Sequence, residues 1–197
     1  IDLIEVMWGT EDKLNSACPC WVELVHKFSN HLRTFAFRTD QLNTEFNVST
    51  DTLDRLPSQL SNLRLAYDGL ESSFWRSESE PFKLGLVCPN LLTLDLWSYA
   101  QSSYPNLDKP LPVKYFPQSL LTFRYDPYAQ ITPDVEQNGI PPIIPELPSG
   151  LLMLKLKRVS FNSSAFGILP RGLLWFDASM NKQALQYSHL SLLPPTL

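Results

Sequence analysis

Histidine and cysteine, which often carry catalysis or bind metals, are few in this chain. The three histidines are His26, His31 and His189. The three cysteines are Cys18, Cys20 and Cys88, and a single proline separates the first two. A Cys-x-Cys spacing is tighter than that of the usual zinc-ligand pair, and no second Cys/His pair follows at a zinc-like distance. The sequence therefore predicts no metal site and no cofactor.

Sequence motifs of known catalytic sites are also missing. The chain contains no G-x-S-x-G, no H-E-x-x-H, no P-loop and no G-x-G-x-x-G sequence. Its 20 Asp and Glu residues include no pair that the sequence singles out for acid–base chemistry. We therefore predict that the protein is not an enzyme.

The residues that do stand out are suited to recognition. Lys155, Lys157 and Arg158 cluster in one short segment, and Trp97 and Trp175 are large aromatic residues at positions that no core requires. Arginine and large aromatic side chains supply much of the energy of protein interfaces. The alternative interpretation is that the lysines only keep a strand soluble and the aromatic rings pack on neighbouring side chains. The elements that carry these residues decide whether they can act together.

A repeated pattern of apolar residues predicts those elements. Segments such as 147–156, LPSGLLMLKL, recur, with apolar residues at positions one, four and six counted from the leucine that opens each strand. Successive first positions lie 31, 28, 31, 29, 31, 22 and 24 residues apart. The repeated triplets are Ile1, Ile4, Val6; Leu32, Phe35, Phe37; Leu60, Leu63, Leu65; Leu91, Leu94, Leu96; Leu120, Phe123, Tyr125; Leu151, Leu154, Leu156; and Leu173, Phe176, Ala178, with Leu197 opening a last unit.

Each of these units predicts a short β-strand whose last two apolar residues point to one side, because strand side chains alternate with a period of two. A single such strand cannot bury its apolar side. The units are therefore expected to stack their strands into a parallel sheet with a shared core, and the residues between strands return the chain along the other side.

This pattern resembles the leucine-rich repeat family over essentially the whole chain. Leu-Pro-x-x-Leu openings at Leu56, Leu147, Leu169 and Leu193 are similar to the LP-type repeats of bacterial effectors and the FNIP-type repeats of amoebae and large viruses. The segment 88–91, CPNL, instead resembles repeats of F-box substrate receptors. The resemblance implies an α/β leucine-rich repeat solenoid. A curved parallel β-sheet would form its concave side, with short helices, 3₁₀ and extended segments on the convex side.

Residues between the core positions face the concave side of such a solenoid, at positions three, five, seven and eight. The family resemblance implies that this side binds a partner protein. The predicted partner-binding residues are Arg64, Tyr67, Asp95, Trp97, Arg124, Asp126, Lys155, Lys157, Arg158, Trp175 and Asp177.

The predicted convex side is irregular. Helical spacing of apolar residues indicates a helix over about 20–29, and a shorter one is expected over about 50–55. Five prolines exclude a helix from 131–150, and the polar segment 68–83 is expected to be a solvated loop. Position nine, which usually holds a bridging asparagine in this family, does so only at Asn181. The resemblance thus implies that part of the bonding between units is lost.

Composition favours one globular domain over 1–197 with about seven repeats, since 44% of residues are hydrophobic and 18% charged. A net charge of -4 gives no basic excess for nucleic acid, and the apolar runs are too short to span a membrane. An odd number of cysteines favours an intracellular location, cytoplasmic or nuclear, while leaving secretion open. Because both ends interrupt a repeat without a capping unit, we expect flanking segments of the same polypeptide.

The function that these observations favour is a non-enzymatic protein–protein interaction module that binds its partner through the concave face. Two alternatives remain open. One is a structural subunit of a larger assembly, and the other is the substrate-recognition part of a ubiquitin-ligase-type protein. Both rest on the resemblance and on the irregularity of the repeats.

Overall fold

A computed structural model describes the backbone of residues 3–8, 27, 30–39, 53–67, 80–98, 111–127, 146–157, 163–179 and 187–197. Seven β-strands occupy these ranges: β1 Leu3–Trp8, β2 Thr34–Thr39, β3 Asn62–Tyr67, β4 Thr93–Ser98, β5 Thr122–Pro127, β6 Met153–Leu156 and β7 Trp175–Asp177. The multi-residue helices of the described ranges are short: α1 Leu84–Val87, α2 Tyr187–Leu190, and the 3₁₀ helices Val113–Tyr115 and Ser163–Ile168.

The strands lie in the sheet in the order in which they occur in the chain, and every neighbouring pair is parallel. Equivalent repeat positions face one another across each pair. Position four, for example, forms one continuous row: Phe35, Leu63, Leu94, Phe123, Leu154 and Phe176. The predicted parallel sheet is confirmed, and this register is compatible with stacked repeats.

The core lies on one side of this sheet, at the predicted positions. The residues at positions one, four and six are buried in every unit from Leu32 to Leu156, and Leu173 at position one of the β7 unit is buried as well. Most of these side chains are completely buried. Full burial of one such side chain contributes about 1.5–3 kcal/mol, so the repeated triplet is the main stabilising feature of each unit. Burial is incomplete only at β7, where Phe176 and Ala178 are half-buried against the core. The side chains of the first triplet lie outside the described residues.

A tight turn precedes each of several strands and sets its start. The amide of Leu120 donates to the carbonyl of Pro117 at 3.2 Å, and Leu151 and Leu173 donate equivalently to Pro148 and Pro170. The proline is the first residue of this turn, where its carbonyl accepts the hydrogen bond and its missing N–H is not needed. The Leu-Pro-x-x-Leu pattern thus encodes a turn followed by the first core leucine.

Neighbouring units are bonded to one another just before their strands. Ser119 Oγ lies 2.8 Å from the carbonyl oxygens of Pro89 and Leu91 in the preceding unit. Thr196 repeats this arrangement three units later, with Oγ1 bonded to the carbonyls of Arg171 and Leu173. Both residues directly precede position one of their unit. We call the place that they occupy position zero. Position nine, where loss of bonding was expected, lies outside the described residues throughout.

The helix α1 and the 3₁₀ helix Val113–Tyr115 lie on the core side of the sheet, since Leu84 and Val113 are buried in the core. Gly85 in α1 packs against the 3₁₀ helix Val113–Tyr115 so closely that a Cβ atom there would lie 3.0 Å from the carbonyl oxygen of Tyr115. The sequence pattern did not predict α1, and the prediction of a fully solvated loop over 68–83 is wrong at Phe82, which is completely buried. Phe82 packs in the core and fixes the start of the segment that leads into α1.

The other convex-side predictions fall largely outside the described residues. Of the helix predicted over 20–29, only Lys27 is described, and it is helical. Of the short helix predicted over 50–55, only 53–55 is described, where Leu53 is helical and a turn follows. Of the segment 131–150, only the turn at 146–150 is described. Among the described residues, no helix has the length and apolar character needed to cross a membrane.

Candidate functional site

Rows of side chains cross the sheet on the face opposite the core, because successive strand residues point to opposite faces. We call this face the outer sheet face. Row five contains Ala36, Arg64, Asp95, Arg124, Lys155 and Asp177. Row seven contains Arg38, Ala66, Trp97 and Asp126.

Asp95 in the middle of row five is held by two neighbours. Its carboxylate accepts a hydrogen bond from the indole N–H of Trp97, two residues further along the same strand. It also lies 3.6 Å from a terminal guanidinium nitrogen of Arg124 on the adjacent strand. Asp95 is only 6% exposed, so it differs from the accessible contact residue that the sequence predicted. Its place in the site is to orient the Trp97 ring and Arg124.

A second ion pair lies further along row five. Lys155 Nζ is 3.3 Å from the carboxylate of Asp177, whose other oxygen accepts a hydrogen bond from the Ser179 backbone amide at 2.8 Å. Burial acts to raise the pKa of Asp177, but the Ser179 hydrogen bonds and Lys155 outweigh it and hold the pKa below its ordinary value. The carboxylate is therefore ionised at neutral pH and neutralises Lys155.

A depression opens on the outer sheet face where two alanines sit among long side chains. Ala66 lies between Arg38 and Trp97 in row seven, and Ala36 lies beside Arg64 in row five. The short methyl groups leave a cavity of about 150 Å³ over strands β2–β4. Its rim and floor are formed by Ala36, Arg38, Arg64, Ala66, Asp95 and Trp97, with Phe37 and Leu65 beneath.

The rim of this depression is aromatic and cationic. Trp97 is 44% exposed although its N–H is bonded to Asp95, so the ring face is available to a ligand. The guanidinium of Arg64 is exposed and has no hydrogen bond or ion pair within the part of the chain that the structure describes. Arg38 is also exposed, and it lies on the side of Ala66 away from Trp97. These features make the depression a candidate anchor site for one side chain of another molecule.

The outer sheet face is more basic than the chain as a whole, which carries a net charge of -4. Two of its carboxylates form ion pairs: Asp95 faces Arg124, and Asp177 faces Lys155. The cations of its described part outnumber the carboxylates: Arg38, Arg64, Arg124, Lys155 and Lys157 against Asp95, Asp126 and Asp177. The local field therefore favours an anionic ligand.

The remaining predicted site residues are distributed unevenly. Asp126 in row seven is half-buried, and Trp175 at the start of β7 is 40% exposed but far along the sheet from Trp97. Arg158 and the side chain of Tyr67 lie outside the described residues. The structure thus brings Arg64, Asp95 and Trp97 together at the depression and leaves Trp175 apart.

Sequence reasoning missed the residues that create the depression. Ala36, Ala66 and Arg38 were not among the predicted partner-binding residues, because attention to large and charged side chains overlooks the gap that a small one leaves. The signal was present in the repeat alignment, where both alanines fall at outward positions beside arginine or tryptophan.

A second surface that the sequence did not predict runs across the starts of the strands. Position two holds a leucine in four successive units, and these leucines succeed one another along a ladder of backbone hydrogen bonds. The side chains are partly or largely exposed, up to 60% at the last one: Leu92, Leu121, Leu152 and Leu174. Apolar surface of this kind is typical of contact with another protein.

Cys88 is a free thiol in the core, and burial raises its pKa to about 12, so it carries no reactive thiolate. Among the described residues, no three His, Cys, Asp or Glu side chains are grouped so that they could hold a metal ion. No protein-family model and no curated protein sequence matches the chain.

Proposed function

We propose that this protein is a non-enzymatic protein-binding module, built as a leucine-rich repeat solenoid, which binds a partner protein through the outer sheet face. The observation that carries the proposal is the depression over Ala36 and Ala66, rimmed by Arg64 and an exposed Trp97. Tryptophan and arginine around a pocket are the residues that most often dominate binding energy at protein interfaces.

The size of the depression favours a side chain as its occupant. Its volume is about 150 Å³, and a cavity of about that volume holds a group the size of benzene. Sites for cofactors and other small ligands typically measure about 300–1,000 Å³. The depression is therefore matched to one anchor residue of a larger partner, while the rest of the outer sheet face supplies the surrounding contact.

Trp97 is also prepared for binding before a partner arrives. Its N–H is fixed by Asp95, and Asp95 is fixed by Arg124, so the ring is restrained in one orientation. A restrained ring loses little conformational entropy when it is covered, which increases the affinity of the complex.

The test compares partner capture by three purified proteins: the wild type, Ala66→Trp, which fills the depression, and Ser149→Trp, which adds the same ring at an exposed turn. Each is immobilised and exposed to an extract of the source cells, and retained proteins are identified by mass spectrometry. We expect a partner that the wild type and Ser149→Trp retain and Ala66→Trp loses. Equal retention by all three proteins would contradict the proposal. Thermal unfolding of each variant checks that the fold is intact.

A second candidate function is that of a structural subunit within a larger assembly, and apolar surface near β7 favours it. Leu174, Trp175, Phe176 and Ala178 line, with Leu193 and Leu197, an apolar cavity of about 410 Å³. Leu174 is the most exposed of these side chains. A partner that is lost with Leu174→Glu but retained with Ala66→Trp would support this function instead of the first.

A further inference from the structure

The depression has a charge that selects its occupant. Two arginines, Arg38 and Arg64, flank the two alanines, and among the described residues that line the depression Asp95 is the only carboxylate. That carboxylate is almost completely buried and is directed to Trp97 and Arg124. It therefore does little to neutralise Arg64, whose guanidinium is exposed and has no partner within the described residues.

The chemistry of a guanidinium defines the group that would complete the site. Arginine presents parallel N–H donors in a planar fork that matches the two oxygens of a carboxylate. The Trp97 ring, whose N–H is already engaged, offers an apolar surface for the methylene groups that precede such a carboxylate. A cavity of about 150 Å³ accommodates a single side chain of that shape.

We propose that the Ala36–Ala66 depression binds the carboxylate side chain of a glutamate or aspartate in an acidic segment of the partner protein, with Arg64 as the ligand of the carboxylate and Trp97 as the wall. The inference rests on the proposed function and specifies its partner class. The surplus of cations over carboxylates in the described part of the outer sheet face extends the preference to further acidic residues of the same segment.

Fluorescein-labelled peptides of repeated Gly-Ser-Glu-Tyr units test the proposal by anisotropy, beside peptides in which glutamine or lysine replaces glutamate. We expect the Glu peptide to bind the wild-type chain about 10- to 100-fold more tightly than the Gln peptide, as the loss of a charge-assisted hydrogen bond predicts. The Lys peptide should not bind. Raising the salt concentration should reduce the preference for Glu.

The decisive variant is Arg64→Ala, with Arg171→Ala as its control. Arg171 is an exposed arginine in the turn before β7, so its replacement changes the net charge equally without touching the depression. Arg64→Ala should abolish the preference for Glu over Gln, and Arg171→Ala should leave it unchanged.

The outcomes separate this inference from the proposed function. Equal binding of the Glu and Gln peptides, or no binding of the Glu peptide at millimolar concentration, overturns the carboxylate assignment. If both peptides bind and Ala66→Trp abolishes that binding, the outer sheet face still binds protein segments and only the carboxylate assignment fails. A Glu preference that survives Arg64→Ala also overturns the assignment, since the charge would then be recognised elsewhere.

Discussion

The centre and the C-terminal end of the sheet are built from the same repeat but differ in how completely they are packed. Phe123 in β5 and Phe176 in β7 occupy the same position four in aligned strands. Phe123 is completely buried and contacts Phe116 edge-to-face, with ring centroids 5.4 Å apart. Phe176 is half-buried, and its aromatic neighbour Phe166 is 6.4 Å away. The β7 strand is also shorter, with 3 residues against the 6 of β5.

This difference shows that the repeated residue alone does not determine its contribution to stability. A unit of a stacked array gains stability from its own packing and from its contacts with both neighbours. Strand β5 pairs on both sides, whereas β7 pairs only with β6 among the described strands. An identical side chain therefore stabilises the centre more than the end.

The largest expected effect tests that comparison directly. Phe123→Ala should lower the free energy of unfolding by about 3–5 kcal/mol, because it leaves a cavity in a fully packed core. Phe176→Ala should cost less than half as much, because its ring is partly in water already. Urea unfolding followed by circular dichroism measures both. Equal losses would contradict the view that packing weakens toward β7.

The two ion pairs of row five extend the comparison to charged groups. Asp95→Ala at the centre removes the partner of both Trp97 and Arg124, and the Nε of Arg124 is already a buried donor that has no partner among the described residues. We expect a loss of about 1–3 kcal/mol, the range for leaving buried polar groups unsatisfied. Asp177→Ala, in the more exposed pair with Lys155, should cost about 1 kcal/mol or less.

Trp97 fluorescence provides a second readout for this prediction. Releasing its N–H should let the ring move, so the emission of Asp95→Ala should shift toward that of a solvated indole while Asp177→Ala leaves it unchanged. A Trp97→Phe background identifies the part of the signal that belongs to this ring. An unchanged spectrum in Asp95→Ala would show that neighbouring packing alone fixes the ring.

The fold was predictable from the sequence because it depends on a local and repeated pattern of apolar residues. Each L-x-x-L-x-L segment specifies which residues must be buried, and the stacking of such segments allows one parallel sheet and one register. Residues as different as Leu63 and Phe123 fill equivalent core positions, since any large apolar side chain satisfies the pattern. The short helix α1 escaped prediction because its position depends on Gly85 approaching the backbone at Tyr115, which is a contact between units.

The candidate site was predictable only in part. The repeat numbering correctly assigned Arg64 and Trp97 to the outer sheet face, since alternation decides which side a residue faces. It could not show that Asp95 is buried beneath its neighbours, or that Ala36 and Ala66 leave a cavity between strands. Those properties depend on the relative sizes of side chains on three adjacent strands, which a pattern within one strand does not contain.

The smallest expected effect concerns the bonds between units at position zero, where the centre and the end of the sheet differ again. Ser119 bonds to two carbonyls of the preceding unit, whereas the units of β6 and β7 have Gly150 and Gly172 at that position. A Cβ atom at Gly150 would lie 3.7 Å from the Gln118 carbonyl oxygen, and the glycine backbone is not left-handed. Gly150→Ser should therefore fit without strain and place a hydroxyl within reach of that carbonyl.

We expect Gly150→Ala to raise the free energy of unfolding by about 0.4–1 kcal/mol, because it restricts the unfolded chain. Gly150→Ser should add about 0.5–1.5 kcal/mol to this through the new hydrogen bond. The difference between the two variants in urea unfolding isolates the hydroxyl, since both carry the same Cβ atom. If serine is no more stabilising than alanine, the bonds of Ser119 and Thr196 are a consequence of stacking. If serine is more stabilising, the side-chain bonds at position zero contribute to the stability of the sheet.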